Sequence, residues 1–455
     1  MIESISVQGV GPVAALEMKL APRLNLITGD NGLGKSFLLD IAWWVLTESW
    51  LNGKVLPKPG KVPDARIEGR FKSQLAGTAD ASNPTAVRTY RFGAAGLEWL
   101  SSGRRIDARN TRIGDQITAD PLLGRHLALC ARIDGGFSIW DPCRNFHSSG
   151  SHTWDDDDIE TPHAIHFGVD ELWNGLSQGD AVICNGMIRD WLDWQQGKAE
   201  VDGRLFRILQ STLKILSPPD EPMRVGEPGR RLGDARRLPM LELPFETIPV
   251  THASAAMKRI LSLAYVLVWA WHEHVTLCEQ LGIPQSNEML LLIDEIENHL
   301  HPRWQRTILK ALLDIVTTLT ERDDVKIQLF IVTHSPLILA SAEPHFDDTQ
   351  DAWFDLDLVR GERPHVVLSR RDFVRHGDVS NWLTSEAFDL EQSRSLEAER
   401  AIQKALEIVR KSDASEAELE AVTRALQATL GDTDRFWMRW SQFRASRSSR
   451  LGGGV

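Results

Sequence analysis

A chain of 455 residues, 42% hydrophobic and 25% charged, is long enough for a large buried core shared among two or three lobes, and it fits no collagen-like, disulfide-scaffold or disordered class. A formal charge of −12 excludes a general polyanion binder, so nucleic acid remains a possible partner only through a local basic patch. The four scattered cysteines have no C-x-x-C spacing, which argues against a zinc ribbon or disulfide framework and for a reducing compartment.

The N-terminus has no basic segment leading into an apolar run, and the longest apolar stretch, Leu261–Trp271, falls short of the roughly 20 residues a bilayer span requires. The expectation is a cytoplasmic protein with no membrane partner. Ile2, Ile5 and Val7, then Val13 to Leu20, alternate as two strands around the Gly9–Gly11–Pro12 turn. Arg23–Thr28 is a short apolar strand, and Lys35–Thr47 has helical spacing at Phe37, Leu38, Ile41, Trp44 and Val45. Segments 65–71, 87–93, 96–100 and 126–140 resemble antiparallel strands, followed by a polar loop from Asn145 to Thr161 that includes the acids Asp155–Asp158.

Residues 168–216 show helical patterning, and the Pro/Gly/Arg-rich stretch 217–240 reads as a linker. Arg230–Arg231, Arg236–Arg237 and the tail arginines Arg444, Arg447 and Arg450 could form a basic patch, or they are solvated charge. A helix from Ser254, a buried strand at Met289–Ile293, a helix over Pro302–Leu319 and a strand over Val325–Val332 restore an α/β texture. Strands are expected at 352–359 and 364–368, and helices over 386–443. The organisation expected is 1–50 as the first part of a nucleotide-binding head, 51–167 as an antiparallel β insertion, 168–250 as a helical lobe and linker, 251–370 as the second part of the head, and 371–455 as a helical extension.

Gly29-Asp30-Asn31-Gly32-Leu33-Gly34-Lys35-Ser36 follows the pattern G-x-x-x-x-G-K-[ST] between a strand and a helix. Its glycines let the backbone curl so that successive N–H groups face phosphate oxygens, and the helix adds its positive end. Lys35 is placed to reach the β- and γ-phosphates of ATP, and the Ser36 hydroxyl to ligate Mg2+. Downstream, the apolar run Met289–Ile293 ends in Asp294 and Glu295. An acid at the end of a buried parallel strand can hold Mg2+, and the next acid can polarise the attacking water, although a solvated helix start gives the same letters. His334 follows another apolar strand, Phe330–Val332, and reads as a γ-phosphate sensor or as a satisfied structural histidine. Ser254 opens the helix His252-Ala-Ser254-Ala-Ala256-Met-Lys258-Arg259, as an anion-facing cap or an ordinary one. His147, His152, His163 and His166 fit no strong metal-ligand spacing.

Taken together, TGDNGLGKS, the SAAMKR helix start, LLLIDEIENHLHP and IVTHSP resemble the ABC-type ATPases with a split head. Among these are the structural-maintenance-of-chromosomes proteins, the overcoming-lysogenisation-defect ATPases and the ATPase subunits of the Septu, PARIS and retron antiphage systems. The last group shares the run Asp294, Glu295, Glu297, His299, Leu300, His301, Pro302. The likeness covers 1–47 and 250–340 well. It implies an α/β P-loop NTPase with an ABC-type head: a mixed sheet core, an antiparallel β subdomain, a helical lobe and, here, a C-terminal helical extension.

The same resemblance implies that ATP is sandwiched between two copies meeting head-to-head, in a homodimer or a larger assembly. Gly29 to Ser36 would bind nucleotide in cis, Asp294 hold Mg2+, Glu295 act as base and His334 as the switch. Ser254 would touch the γ-phosphate of the opposite copy, and Glu297 to His301 would cross the dimer seam. Ala256 departs from the pattern, which has glycine there, and its methyl group implies slow turnover. No residue is assigned to the glutamine that links the two lobes of such heads. Asp355 and Asp357 imitate a D-x-D without the strand and helix of a Toprim nuclease, so the cutting chemistry is expected in a separate effector. The alternatives are a DNA repair or recombination ATPase acting directly on DNA, and a transporter ATPase subunit.

Overall fold

The computed structural model describes residues 1–13, 15–72, 85–93, 98–101, 126–147, 164–197, 199–362, 364–388, 390–411 and 414–452. The acids Asp155–Asp158 and the histidines His152 and His163 lie outside the described residues. The described chain divides into two compact units, Met1–Gly377 and Asp378–Val455.

Two sheets carry the first unit. In the antiparallel one, β1 (Ile2–Gln8) pairs with β2 (Ala15–Lys19) on one side and β4 (Arg66–Lys72) on the other, and β5 (Thr85–Gly93) and β6 (Glu98–Ser101) complete it. The alternating burial of β2, with Leu16 and Met18 inward, is that of a sheet with one face in the core. The other sheet has the order β18-β17-β3-β16-β15-β7-β8-β9. Its strands are β3 (Leu24–Gly29), β7 (His126–Ala131), β8 (Phe137–Trp140), β9 (Ile165–Phe167), β15 (Glu288–Asp294), β16 (Lys326–Val332), β17 (Asp351–Val359) and β18 (His365–Arg371). From β17 to β7 the neighbours run parallel, while β18, β8 and β9 add antiparallel edges.

Helix α1 (Lys35–Thr47) is wedged between the two sheets. Ile41, Trp43 and Val45 join one core with Ile5 and Ile67 of the antiparallel sheet and Leu290, Leu292 and Phe330 of the parallel one. Burying each such side chain contributes about 1.5–3 kcal/mol, which fixes the helix that follows the glycine loop.

The expected insertion 51–167 is corrected in its second half. Strand β7 pairs in parallel with β15, Leu291 opposite Leu129, and β8 and β9 continue from it, so these three strands belong to the core sheet. All six residues of β7 are buried, as a strand covered on both faces must be. The stretch 217–240 is not a plain linker either. Strands β12 (Arg224–Arg230), β13 (Arg237–Glu242) and β14 (Thr247–Pro249) form an antiparallel sheet with an irregularity between Gly226 and Gly229.

Helices supply the rest of the unit: α2 (Pro142–His147), α3 (Val169–Asn174), α4 (Met187–Gln196), α5 (Glu200–Leu216), α6 (Ala255–Leu281), α7 (Pro302–Thr320) and α8 (Pro336–Ala342), with the hairpin β10 (Leu176–Gln178) and β11 (Ala181–Cys184) between α3 and α4. Ser254 caps α6, its hydroxyl accepting from the Met257 N–H at 3.3 Å, and Gly282 ends it in the left-handed conformation. The apolar run Leu261–Leu267 lies wholly inside, and among the described residues no helix is long and apolar enough to cross a membrane.

The second unit is helical: α9 (Val379–Leu383), α10 (Leu396–Arg410), α11 (Glu416–Thr429) and α12 (Phe436–Gly452). Ala398, Ala401, Ile402, Ala405 and Ile408 form one helical face and pack with Leu419, Val422, Leu426 and Trp440 in a core of their own.

Candidate nucleotide-binding site

Strand register brings the motifs together. Asp294 is opposite Val332, and Val332 is opposite Ile27, so the glycine loop, Glu295 and His334 leave three neighbouring strands at one edge. This is the edge where parallel α/β sheets bind ligands.

The loop needs its glycines. Gly29, Gly32 and Gly34 have φ of +131°, +78° and +102°. A Cβ at Gly29 would lie 2.4 Å from the Leu356 carbonyl oxygen, and one at Gly34 would lie 2.3 Å from Pro12 Cγ. Asp30, Asn31 and Gly32 form the exposed tip, while Leu33 turns into the core. The Lys35 ammonium donates to the Gly29 and Asp30 carbonyls, both at 2.8 Å, and so braces the loop from within. Burial lowers the Lys35 pKa, and Glu295, Asp294, Asp30 and Asp355 pull the other way.

Asp294 is buried, and burial raises its pKa, with the facing Ser36 hydroxyl lowering it. One of its carboxylate oxygens, Oδ1, has no hydrogen-bond partner. An orphaned buried carboxylate oxygen beside an exposed hydroxyl is a donor pair suited to a hard cation such as Mg2+. Glu295 adopts φ of +50°, unusual for a side chain with a Cβ and costing about 1–2 kcal/mol. The turn that follows, closed by the Asn298 N–H on the Glu295 carbonyl at 2.9 Å, holds it there. Its carboxylate lies 3.7 Å from His334 Nε2, both side chains being about 30% exposed. Burial, and then Lys35, lowers the His334 pKa. The imidazole is therefore neutral at pH 7 and free to accept or relay a proton.

Glu297, which the resemblance would put in the segment crossing a dimer seam, also has partners within its own chain. In the structure it accepts from the Thr333 hydroxyl at 2.9 Å and from the His334 backbone N–H, tying the turn after β15 to the loop after β16. Its spacing two residues beyond Glu295 was visible, but its partner lies 36 residues away in sequence and only the fold supplies it. Asp355 is likewise internal. It accepts from Thr28 Oγ1 at 2.6 Å, while Asp357 pairs with Arg371. At the end of β7 stand Arg132 and Asp134, so among the described core strands none ends in the lobe-linking glutamine.

Ser254 stands apart: among the described residues no hydrogen bond or ion pair links it to this cluster. The exposed start of α6 opens instead onto a cleft of about 560 Å3, bordered by Lys258, Trp173, Gly135, Asn298 and His299. His166, of the four histidines in the polar region, bonds Ser138 Oγ at 2.7 Å.

A parallel core sheet with a glycine loop, an Asp-Glu pair and a histidine at one edge, flanked by an antiparallel sheet and a helical layer, defines a P-loop nucleotide-binding head of the ABC type. Comparison with known proteins narrows this. Residues 246–340 match the family model described as "AAA domain, putative AbiEii toxin, Type IV TA system". The chain is 30% identical over 109 residues to the Retron Ec83 probable ATPase of Escherichia coli, covering 24% of this chain and 16% of that protein. It is 40% identical over 67 residues to the Retron Vc95 probable ATPase of Vibrio cholerae serotype O1 biovar El Tor, covering 15% and 12%. The chain thus matches less than a fifth of the length of these relatives. Among solved structures, the SMC head domain from Thermotoga maritima superposes with a TM-score of 0.39 at 13% identity, covering 80% of this chain and 98% of that one. The recombination mediator RecF bound to ATPrS gives 0.35 at 13% identity, over 78% and 95%. The class rests on the strand order and the loop geometry, not on these loose superpositions. The chain has the fold of an ABC-type P-loop head, and part of it resembles the retron probable ATPases.

Proposed function

We propose that this protein binds and slowly hydrolyses ATP with Mg2+, closes head-to-head on a second copy, and through that closed assembly controls a separate effector, a nuclease of an antiphage system. The observation that carries the ATPase reading is the convergence of Lys35, Asp294 with its unpartnered oxygen, Glu295 and His334 at one sheet edge. The matched relatives bear the name of retron ATPases, which favours a defence role.

Each group has one task. Lys35 leaves the loop carbonyls for the β- and γ-phosphates, and the loop N–H groups surround them. Ser36 and Asp294 would hold Mg2+, which supplies charge neutralisation on the phosphate oxygens when bound. Glu295 orients a water and takes its proton, and His334 reports the γ-phosphate to the loop that Glu297 fixes. Ser254, exposed on its helix start, meets the γ-phosphate of the second copy. The neighbouring Ala256 methyl keeps that approach loose and turnover slow.

The test measures ATP binding, hydrolysis and mass by light scattering. Lys35→Ala is expected to lose binding. Glu295→Gln is expected to bind ATP, to hydrolyse about 100-fold more slowly or worse, and to accumulate the closed dimer. Wild-type turnover by Glu295→Gln overturns the base assignment. For the defence role, phage protection in cells must be lost with Lys35→Ala, and unchanged protection overturns it. A direct action on DNA is favoured by one feature, the exposed tip between β12 and β13 with Arg230, Arg231, Arg236 and Arg237 around a fully exposed Leu232. Duplex binding that weakens steeply with salt and with those arginines replaced would support it.

A further inference from the structure

Away from the nucleotide edge, where α2 leaves β8 and meets α6, lies a buried cluster of Asp141, Cys143, His274 and Cys278, none more than 3% exposed. The two sulfurs are 3.4 Å apart, and Cys278 Sγ is 3.6 Å from His274 Nε2. Two cysteines and a histidine with their donor atoms this close have the composition of a soft-metal site. The histidine decides against it. The Ser286 backbone N–H donates to Nε2 at 2.9 Å, so the ring proton is on Nδ1, which reaches Asp141 Oδ1 at 3.1 Å. Neither nitrogen keeps a lone pair for a cation, and two sulfurs alone do not make a zinc site.

What remains is a dithiol in van der Waals contact. We propose that Cys143 and Cys278 are a modification site: a buried thiol pair that hydrogen peroxide converts to an intramolecular disulfide. Neither sulfur is open to solvent, which excludes a protein disulfide donor and leaves a water-sized oxidant, admitted by local opening of the packing, as the reagent. The sulfurs need to close only from 3.4 Å to the bonded separation of about 2.05 Å. The Cys143 thiol donates to the Cys278 sulfur and holds the Cys278 pKa below the usual thiol range, while that of Cys143 is raised. Cys278 is therefore the nucleophile and Cys143 the resolving thiol.

In the first step the Cys278 thiolate attacks one peroxide oxygen. An S–O bond forms, the O–O bond breaks, and the departing hydroxide takes the Cys143 proton to leave as water. In the second, the Cys143 thiolate attacks the Cys278 sulfenic sulfur. The S–S bond forms, the S–O bond breaks, and hydroxide leaves and takes up a solvent proton. Two sulfurs lose one electron each, and the two peroxide oxygens gain them. Cys130 and Cys184 serve as internal controls: both are buried, and Cys184 faces the Tyr265 hydroxyl at 3.0 Å rather than a second thiol. The new bond would join the start of α2, just after β8, to α6 near its C-terminus and far from Ser254.

The experiment treats the reduced full-length chain with stoichiometric peroxide, alkylates with N-ethylmaleimide, and maps peptides by mass spectrometry. The expected product is a Cys143–Cys278 linked peptide within one chain, with Cys130 and Cys184 alkylated, reversal by dithiothreitol, and a higher unfolding temperature in the oxidised form. In Cys143→Ser the linked peptide is absent and dimedone captures a sulfenic acid on Cys278. Four alkylated cysteines in a peroxide-treated chain that still unfolds cooperatively overturn the proposal. So does a linkage between chains. Stoichiometric zinc in the reduced protein, shielding both thiols and engaging the unpartnered Oδ2 of Asp141, would also overturn it, in favour of a metal site.

Discussion

At Glu297 one carboxylate receives the Thr333 hydroxyl and the His334 N–H, so two loops that carry catalytic candidates move as one. Glu297→Ala strands both donors in a half-buried place, at about 1–3 kcal/mol each. The expected outcome is a kcat about tenfold lower or worse with ATP binding retained, and partial rescue by Glu297→Gln, which keeps one acceptor oxygen. Equal loss in both variants would mean the charge matters rather than the tether. Asp355 offers a test of sign. Burial pushes its pKa up to about 6, first among several causes. A carboxyl whose folded pKa exceeds its unfolded value of about 3.9 loses stability as pH rises between the two, and bears the full penalty above the folded pKa. Asp355→Asn should therefore match the wild type near pH 4 and exceed it above pH 6, by on the order of 2–3 kcal/mol. Urea unfolding across that range decides it: a constant difference would show that the carboxyl does not titrate there.

Strand β3, its loop and α1 were legible as a unit because their pattern is local: an apolar strand, glycines where φ must be positive, then helical spacing. The place of β7 was not. Its six buried residues read equally as hairpin or core strand, and only the register opposite β15 chooses the core. The strands β12 and β13 were hidden for the opposite reason, since Gly226, Pro228 and Gly229 give that hairpin the composition of a loop. The glycine loop yields a prediction that separates conformation from crowding. Gly32→Ala meets nothing within 4 Å and carries only the positive-φ cost, about 1–2 kcal/mol. Gly34→Ala carries that cost and a Cβ driven into Pro12. Gly34→Ala should thus lower the denaturation midpoint clearly more than Gly32→Ala. Equal shifts in thermal or urea denaturation would show that Pro12 yields freely.

Across the whole chain, composition gave size and charge but not where the molecule divides. The described chain divides after Gly377, seven residues beyond the expected 370: β18 ends at Arg371 and the glutamate- and alanine-rich helical pattern begins soon after. Every nucleotide-site candidate lies in the first unit, which has its own core running from Ile2 to Leu356. The second unit buries Ala405, Leu426 and Trp440 among its own helices, and the paired Arg394 and Asp434, at 2.8 and 2.9 Å, close it on itself. A domain with its own core folds alone. A chain ending at Gly377 should therefore unfold in one cooperative transition and bind ATP with wild-type affinity, as measured by calorimetry. Should it bind ATP normally yet lose phage protection, the helical unit is where the effector is engaged. If it aggregates or loses ATP binding, the two units depend on each other for folding, and separate cores do not make them independent.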